Sequence, residues 1–135
     1  MKEVMAMRNR TILVVDDEKD TLTLLKTELS LEGYQVIEAS SGKEGFTKAQ
    51  NFLPDLILMD VVMPDMNGGQ AIKLLKETPK TKNIPVIFLT AMLTREEEKS
   101  GKKDVVIDGM YYSTIAKPFN SQELIEEVNK MMHVL

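Results

Sequence analysis

Two adjacent acids, Asp16 and Asp17, a third acid, Asp60, a hydroxyl, Thr90, and an ammonium, Lys117, are the side chains whose types and placing point to chemistry. Each follows an apolar run: TILVV precedes Asp16, LILM precedes Asp60, VIFL precedes Thr90 and IA precedes Lys117. A carboxylate buried alone inside such a run would cost several kcal/mol. Asp60 therefore belongs at the carboxyl edge of its strand, where open α/β sheets place their ligands. Three carboxylates brought together repel one another, and only a cation makes the arrangement comfortable at neutral pH. An all-oxygen site with no Cys and no His nearby suits Mg2+ or Mn2+ and argues against zinc. Taken alone, Asp60 reads equally well as a helix cap or turn acid; for Lys117, a surface lysine before a turn is the lesser reading. The recurrence of polar residues at successive strand ends tips both toward a site.

The elements that must position these residues follow from hydrophobic periodicity. DLILMD (55–60) carries four apolar residues without alternation, the pattern of a strand buried on both faces in a helix-covered parallel sheet. TILVV (11–15) and VIFLT (86–90) read the same way, and YQVIEA (34–39) is a shorter strand. Leu22, Leu25 and Leu29, joined by Leu24, recur at helical spacing over about 19–32, with Gly33 as C-cap. Ser40 or Ser41 caps a helix over about 42–51 whose small face is Gly45, Phe46 and Ala49, and Pro54 closes it. A loop in which Asn67 and Gly68 tolerate positive φ leads to a helix over about 69–77, burying Ala71, Ile72, Leu74 and Leu75. Asn120 or Ser121 caps a final helix carrying Leu124, Ile125, Val128, Met131 and Met132. This alternation predicts an α/β, doubly wound sheet, and right-handed crossovers bring the carboxyl ends of its parallel strands to one edge. His133, the single histidine, falls in the final helix far from that edge and reads as incidental.

Composition narrows the function classes. A chain of 135 residues fits one domain that buries roughly two-thirds of its unfolded surface. The absence of Cys excludes disulfides and thiol chemistry. Seventeen Lys and Arg against 21 Asp and Glu give a formal charge of −4, without the basic excess of a free-standing nucleic-acid binder. No apolar run is long enough to span a membrane, and MKEVMAMRNR is too short of apolar residues for a signal peptide. The expected address is the cytoplasm, with no direct nucleic-acid binding and no membrane insertion.

ILVVDDE (12–18), LILMDVVMPDMNG (56–68), VIFLTA (86–91) and KPF (117–119) occur in an order and at a spacing that resemble the receiver domains of two-component response regulators, the CheY-like proteins. The likeness covers about residues 11–133. It implies a flavodoxin-like fold, a five-stranded parallel sheet in the order 2-1-3-4-5, with 1–10 as an N-terminal extension and 11–135 as the receiver. By resemblance, Asp60 is the phosphoryl acceptor, attacking a phosphohistidine or a small acyl phosphate to give an aspartyl phosphate. Asp17 resembles the direct Mg2+ ligand and Asp16 the acid that holds the ion's water, and the backbone carbonyl of Val62 takes a further position. Lys117 would pair with Asp60 in the empty site and with phosphoryl oxygen in the loaded one. Thr90 would donate its hydroxyl, Ala91 leaves room for donor or water, and Pro118 follows Lys117 through a cis bond. The implied partners are a sensor histidine kinase or histidine phosphotransfer protein, and a downstream protein or attached output domain. Mg2+-dependent self-phosphorylation and autodephosphorylation are the implied activities, with no separate catalytic domain.

The chain departs from the family between Thr90 and Lys117. That interval is longer than usual, and TREEEKSGKK offers no apolar stripe for a docked fourth helix. Residues 95–103 are therefore expected to form at most a short helix. DVVI and MYYSTI flank Asp108-Gly109, a hairpin signal, so extended chain is expected over 104–115; the competing reading runs a displaced fourth helix through Asp104 to Ile107. Thr114 stands three residues before Lys117, where receivers carry a switch Tyr or Phe, and Tyr111 and Tyr112 lie upstream. These departures leave a second functional reading, a receiver-like interaction scaffold that phosphorylation does not regulate. Other rivals fit less well: a haloacid dehalogenase phosphatase needs an Asp where Val62 stands, and no P-loop or flavodoxin phosphate loop is present. The sequence reads as a single-domain regulator or a receiver excised from something larger, with Met1 and the short tail slightly favouring the former or an N-terminal excision.

Overall fold

The continuous apolar strands stack side by side because each must be covered on both faces. The computed structural model describes residues 10–61, 63–91, 104–107 and 109–132. In chain order these form β1 (Thr11–Val15), α1 (Lys19–Leu31), β2 (Gln35–Ala39), α2 (Gly42–Phe52), β3 (Leu56–Asp60), α3 (Gly68–Glu77), β4 (Val86–Thr90), β5 (Asp104–Ile107), β6 (Met110–Ala116) and α4 (Ser121–Met131). The spatial order is β2-β1-β3-β4-β6-β5. The pairs from β2 through β6 are parallel, so the expected five-stranded parallel sheet is present in the order 2-1-3-4-5 when its parallel members are counted along the chain.

A sixth strand is added at the edge of this parallel sheet. β5 pairs antiparallel with β6, from Asp104 opposite Ser113 to Ile107 opposite Met110. This is the hairpin that Asp108-Gly109 signalled, and it excludes a displaced helix over 104–107. Gly109 has φ of 78° and no atom within 4 Å of where a Cβ would lie, so the turn, not crowding, calls for glycine there. The expectation for 95–103, Asp108 itself and His133 fall outside the described residues.

Alternation along each strand divides the core into two layers. Ile12, Val14, Leu56, Leu58, Ile87, Leu89 and Ile115 point to one side, where Leu22, Leu25 and Leu29 of α1 and Leu124 and Val128 of α4 cover them. Leu13, Val15, Ile57, Met59, Val86 and Phe88 point to the other, under Ala49 of α2 and Ala71, Ile72 and Leu75 of α3. Each fully buried Leu or Ile contributes about 1.5–3 kcal/mol of transfer free energy, so the two layers dominate the stability. Leu24 is instead exposed, and Leu74 is half-buried.

Local capping fixes the loops. Asn67, with φ of −73°, is the N-cap of α3 in a capping box with Gln70, so it serves as a cap and not as a positive-φ residue. Ser41 caps α2 and Asn120 caps α4. Asp65 adds a long-range cap: its carboxylate accepts from Gly42 N and Lys43 N, each at 3.0 Å, while Ser41 Oγ accepts from Glu44 N. Those bonds tie the loop after β3 to the start of α2. Gly42 is required by closeness, because a Cβ there would lie 2.7 Å from Met66 Cβ.

Candidate functional site

Parallel register brings the polar strand ends together. Val15 of β1 pairs with Met59 of β3, Asp60 pairs with Leu89, and Thr90 pairs with Ala116. Asp16, Asp17, Asp60, Thr90 and Lys117 therefore meet on one edge although they span most of the chain. Lys117 N donates to Thr90 O at 2.9 Å, which locks the ends of β4 and β6 to each other. Val61 N donates to Leu89 O at 3.1 Å and extends the β3 ladder just past Asp60.

The carboxylates of Asp16, Asp17 and Asp60 each place an oxygen within 4.8 Å of the others. Asp16 is fully buried, Asp60 is 7% exposed, and Asp17 faces solvent. Asp16 Oδ1 accepts from Glu18 N at 2.9 Å. Asp16 Oδ2 has Lys117 Nζ at 2.6 Å as an ion-pair partner, but at an angle that leaves the oxygen without a hydrogen bond. Burial pushes the Asp16 carboxyl above the ordinary Asp range, and the Lys117 ammonium only partly offsets this. A buried, under-satisfied carboxylate oxygen next to two further carboxylates is the donor set of a hard divalent cation. The residues present thus fit Mg2+ or Mn2+.

Lys117 is the positive centre of the edge. Its Nζ lies 2.6 Å from Asp16, 3.2 Å from Glu18 and 3.3 Å from Asp60. Burial works against the ammonium, but the contact and charge of Asp16, followed by Asp60 and Glu18, outweigh it and hold the group above the ordinary lysine value. Lys117 does pair with Asp60, as expected, yet Asp16 is its nearer partner. Glu18 is the residue that sequence reasoning missed; its signal was a third consecutive acid after β1. Thr90 is 3% exposed at the end of β4, with Ala91 after it exposed. The Lys117-Pro118 peptide is cis. The carbonyl of Val62 lies outside the described residues.

On β6 the residues before Lys117 have unlike surroundings. Thr114 is buried opposite Phe88. Tyr112, on the same face of β6 as Thr114, sets its ring edge-on to Phe88 with centroids 5.6 Å apart at 86°. Tyr111 points away and is 74% exposed. Tyr112 thus stands one pleat repeat, roughly 7 Å, before Thr114 along the strand.

A family model described as the response regulator receiver domain matches residues 12–129. The chain belongs to the response regulator receiver domain family. This receiver is 33% identical over 121 residues to the protein PilH of Pseudomonas aeruginosa, covering 90% of this chain and 96% of that one. It is 36% identical over 124 residues to the alkaline phosphatase synthesis transcriptional regulatory protein PhoP of Bacillus subtilis, covering 92% of this chain but 49% of that protein. The receiver therefore spans nearly all of one relative and about half of another. Among solved structures, the chemotaxis protein CheY4 of Vibrio cholerae superimposes with a TM-score of 0.76 at 29% identity, covering 93% of this chain and 98% of that one.

Proposed function

We propose that this receiver is a two-component signalling switch that takes a phosphoryl group onto Asp60 from the phosphohistidine of a sensor kinase or phosphotransfer protein. The observation that carries the reading is the meeting of Asp16, Asp17 and Asp60 within 4.8 Å, with Lys117 ion-paired to Asp60 at 3.3 Å. Asp60 is the nucleophile: a carboxylate oxygen forms the bond to phosphorus, and the electron pair of the broken bond leaves on the donor. Asp17, the solvent-facing acid, and Asp60 would hold Mg2+ or Mn2+ directly, Asp16 would hold its water, and the Val62 carbonyl would complete the protein's share. The bound ion supplies neutralisation of charge gathering on the transferring group. Lys117 then exchanges a carboxylate partner for a phosphoryl oxygen, and the Thr90 hydroxyl donates to the same group.

Since Lys117 N and Thr90 O are joined, a pull on either side chain is felt by both β4 and β6. The loaded domain presents an altered surface to a downstream protein or an attached output domain. No described helix is long and apolar enough to cross a membrane, and the composition supports a cytoplasmic chain that does not itself bind nucleic acid. Intact-mass measurement with acetyl phosphate tests the reading. One phosphoryl adduct on the wild type in Mg2+, none on Asp60→Asn and none in chelator is the expected result. An equal adduct on both proteins, or none on either, would overturn it and favour the unphosphorylated scaffold.

A further inference from the structure

Glu18 occupies the N-cap of α1, yet its side chain caps nothing there. N-cap positions favour side chains that accept from the first turn. This carboxylate instead turns across the sheet edge to Lys117, 99 residues away in sequence, at 3.2 Å. Its backbone is fixed at both ends of the peptide unit, by Glu18 N to Asp16 Oδ1 and by Leu22 N to Glu18 O. The side chain remains 64% exposed. It also lines an open cavity of about 350 Å3 with Thr21, Leu24, Ala91, Lys117 and Phe119.

A lysine ammonium has three N–H donors, and three carboxylates already surround this one. Two of its donors go to Glu18 and Asp60 and Asp16 stands against it as an ion-pair partner at 2.6 Å, so an entering phosphoryl oxygen must compete with these carboxylates for Nζ. Asp16 is wholly buried and cannot turn its carboxylate out into bulk solvent. Asp60 is the acceptor and stays where the new bond forms. Glu18 alone of the three can swing into solvent at small cost. Its negative charge, 3.2 Å from the ammonium, also opposes the approach of a small anion to Lys117. We propose that Glu18 is a positioning residue that holds Lys117 in the resting receiver and competes with the entering phosphoryl group for it, slowing transfer from free acyl phosphates.

This inference rests on Asp60 as acceptor, so the test separates the two. Glu18→Gln removes the charge and keeps the reach, Glu18→Asp keeps the charge and shortens the reach by one methylene, and Glu77→Gln makes the same net charge change on an exposed residue of α3. With acetyl phosphate and Mg2+ at low ionic strength, Glu18→Gln should be phosphorylated about three to ten times faster than wild type. Glu18→Asp should fall between them, Glu77→Gln should match wild type, and added salt should narrow the gap. Without donor or metal, the NMR signals of the Lys117 ε-methylene should shift in Glu18→Gln and not in Glu77→Gln. Equal rates for wild type and Glu18→Gln, an equal rise in Glu77→Gln, or an unmoved Lys117 signal would each overturn the proposal. A wild type that takes no phosphoryl group would overturn the acceptor reading instead, and the Lys117 signal would still decide whether Glu18 holds the ammonium.

Discussion

Asp16 and Asp17 are neighbours in sequence with unlike surroundings. Asp16 is fully buried and already engaged by Lys117 and Glu18 N, while Asp17 faces solvent within 4.8 Å of the same cluster. Asp17→Asn should therefore weaken Mg2+ binding more than Asp16→Asn, because on the proposed reading it removes a direct ligand; calorimetric titration ranks the two, and the reverse ranking would exchange their roles. Lys117→Ala should still accept some phosphoryl group, since Asp60 and the acids remain, but should lose most of the conformational response. Amide chemical-shift changes on adding a non-hydrolysable phosphoryl mimic measure this, and changes as large as those of wild type would refute Lys117 as the link. The acids and Thr90 were legible because they close the buried strands β1, β3 and β4, and Lys117 because it follows the buried end of β6. What the sequence did not reveal was the preference of Lys117 for Asp16 over Asp60, or the reach of Glu18. Those depend on side-chain paths across strands that no spacing encodes.

Helix α2 shows how an element borrows its end from elsewhere. Gly42 N, Lys43 N and Glu44 N are met by Asp65 and Ser41, so the donors of the first turn are satisfied partly by the loop after β3. Ser41 was visible as a cap; Asp65 was not, because it lies 23 residues beyond Gly42. The two backbone bonds hold the Asp65 carboxyl below its ordinary value of 3.8. Between the folded value and 3.8 the folded state binds fewer protons than the unfolded chain. The stabilisation is thus fully present above about pH 4 and is lost as pH falls through the lower folded value. Asp65→Ala should cost about 1 kcal/mol at pH 7 by urea unfolding, and the gap from wild type should close in acid. A pH-independent gap would mean that packing, and not the charge-assisted cap, accounts for the loss. The same scale explains the hairpin: DVVI and MYYSTI around Asp108-Gly109 favoured strands locally, and pairing between β5 and β6 agrees. Tyr112 was ambiguous from sequence, since only the parallel register of β4 with β6 sets it against Phe88.

Across the whole molecule, the sheet was readable because its parallel strands are unbroken apolar runs and its helices carry single apolar faces. The added strand changes the outline. In a five-stranded receiver the last parallel strand is the sheet edge, whereas here β5 covers β6. A dimer built on the usual face, from the fourth helix, last parallel strand and last helix of a receiver, should therefore not form on phosphorylation. Sedimentation of the chain with and without the phosphoryl mimic at micromolar concentration should give one unchanged mass, and a doubling on loading would show that the face is still available.

The turn at Gly109 has a practical consequence. It begins the seven-residue β6, whose far end leads into Lys117, so about 20 Å of strand separates the tip from the acidic edge. Gly109 is exposed and nothing crowds it. Surface tips of this kind accept foreign sequence. A short epitope or a fluorescent reporter spliced in at Gly109 should leave uptake of phosphoryl by Asp60 within about twofold of the unmodified chain, and the hairpin becomes a handle from which the domain can be labelled, tethered or watched.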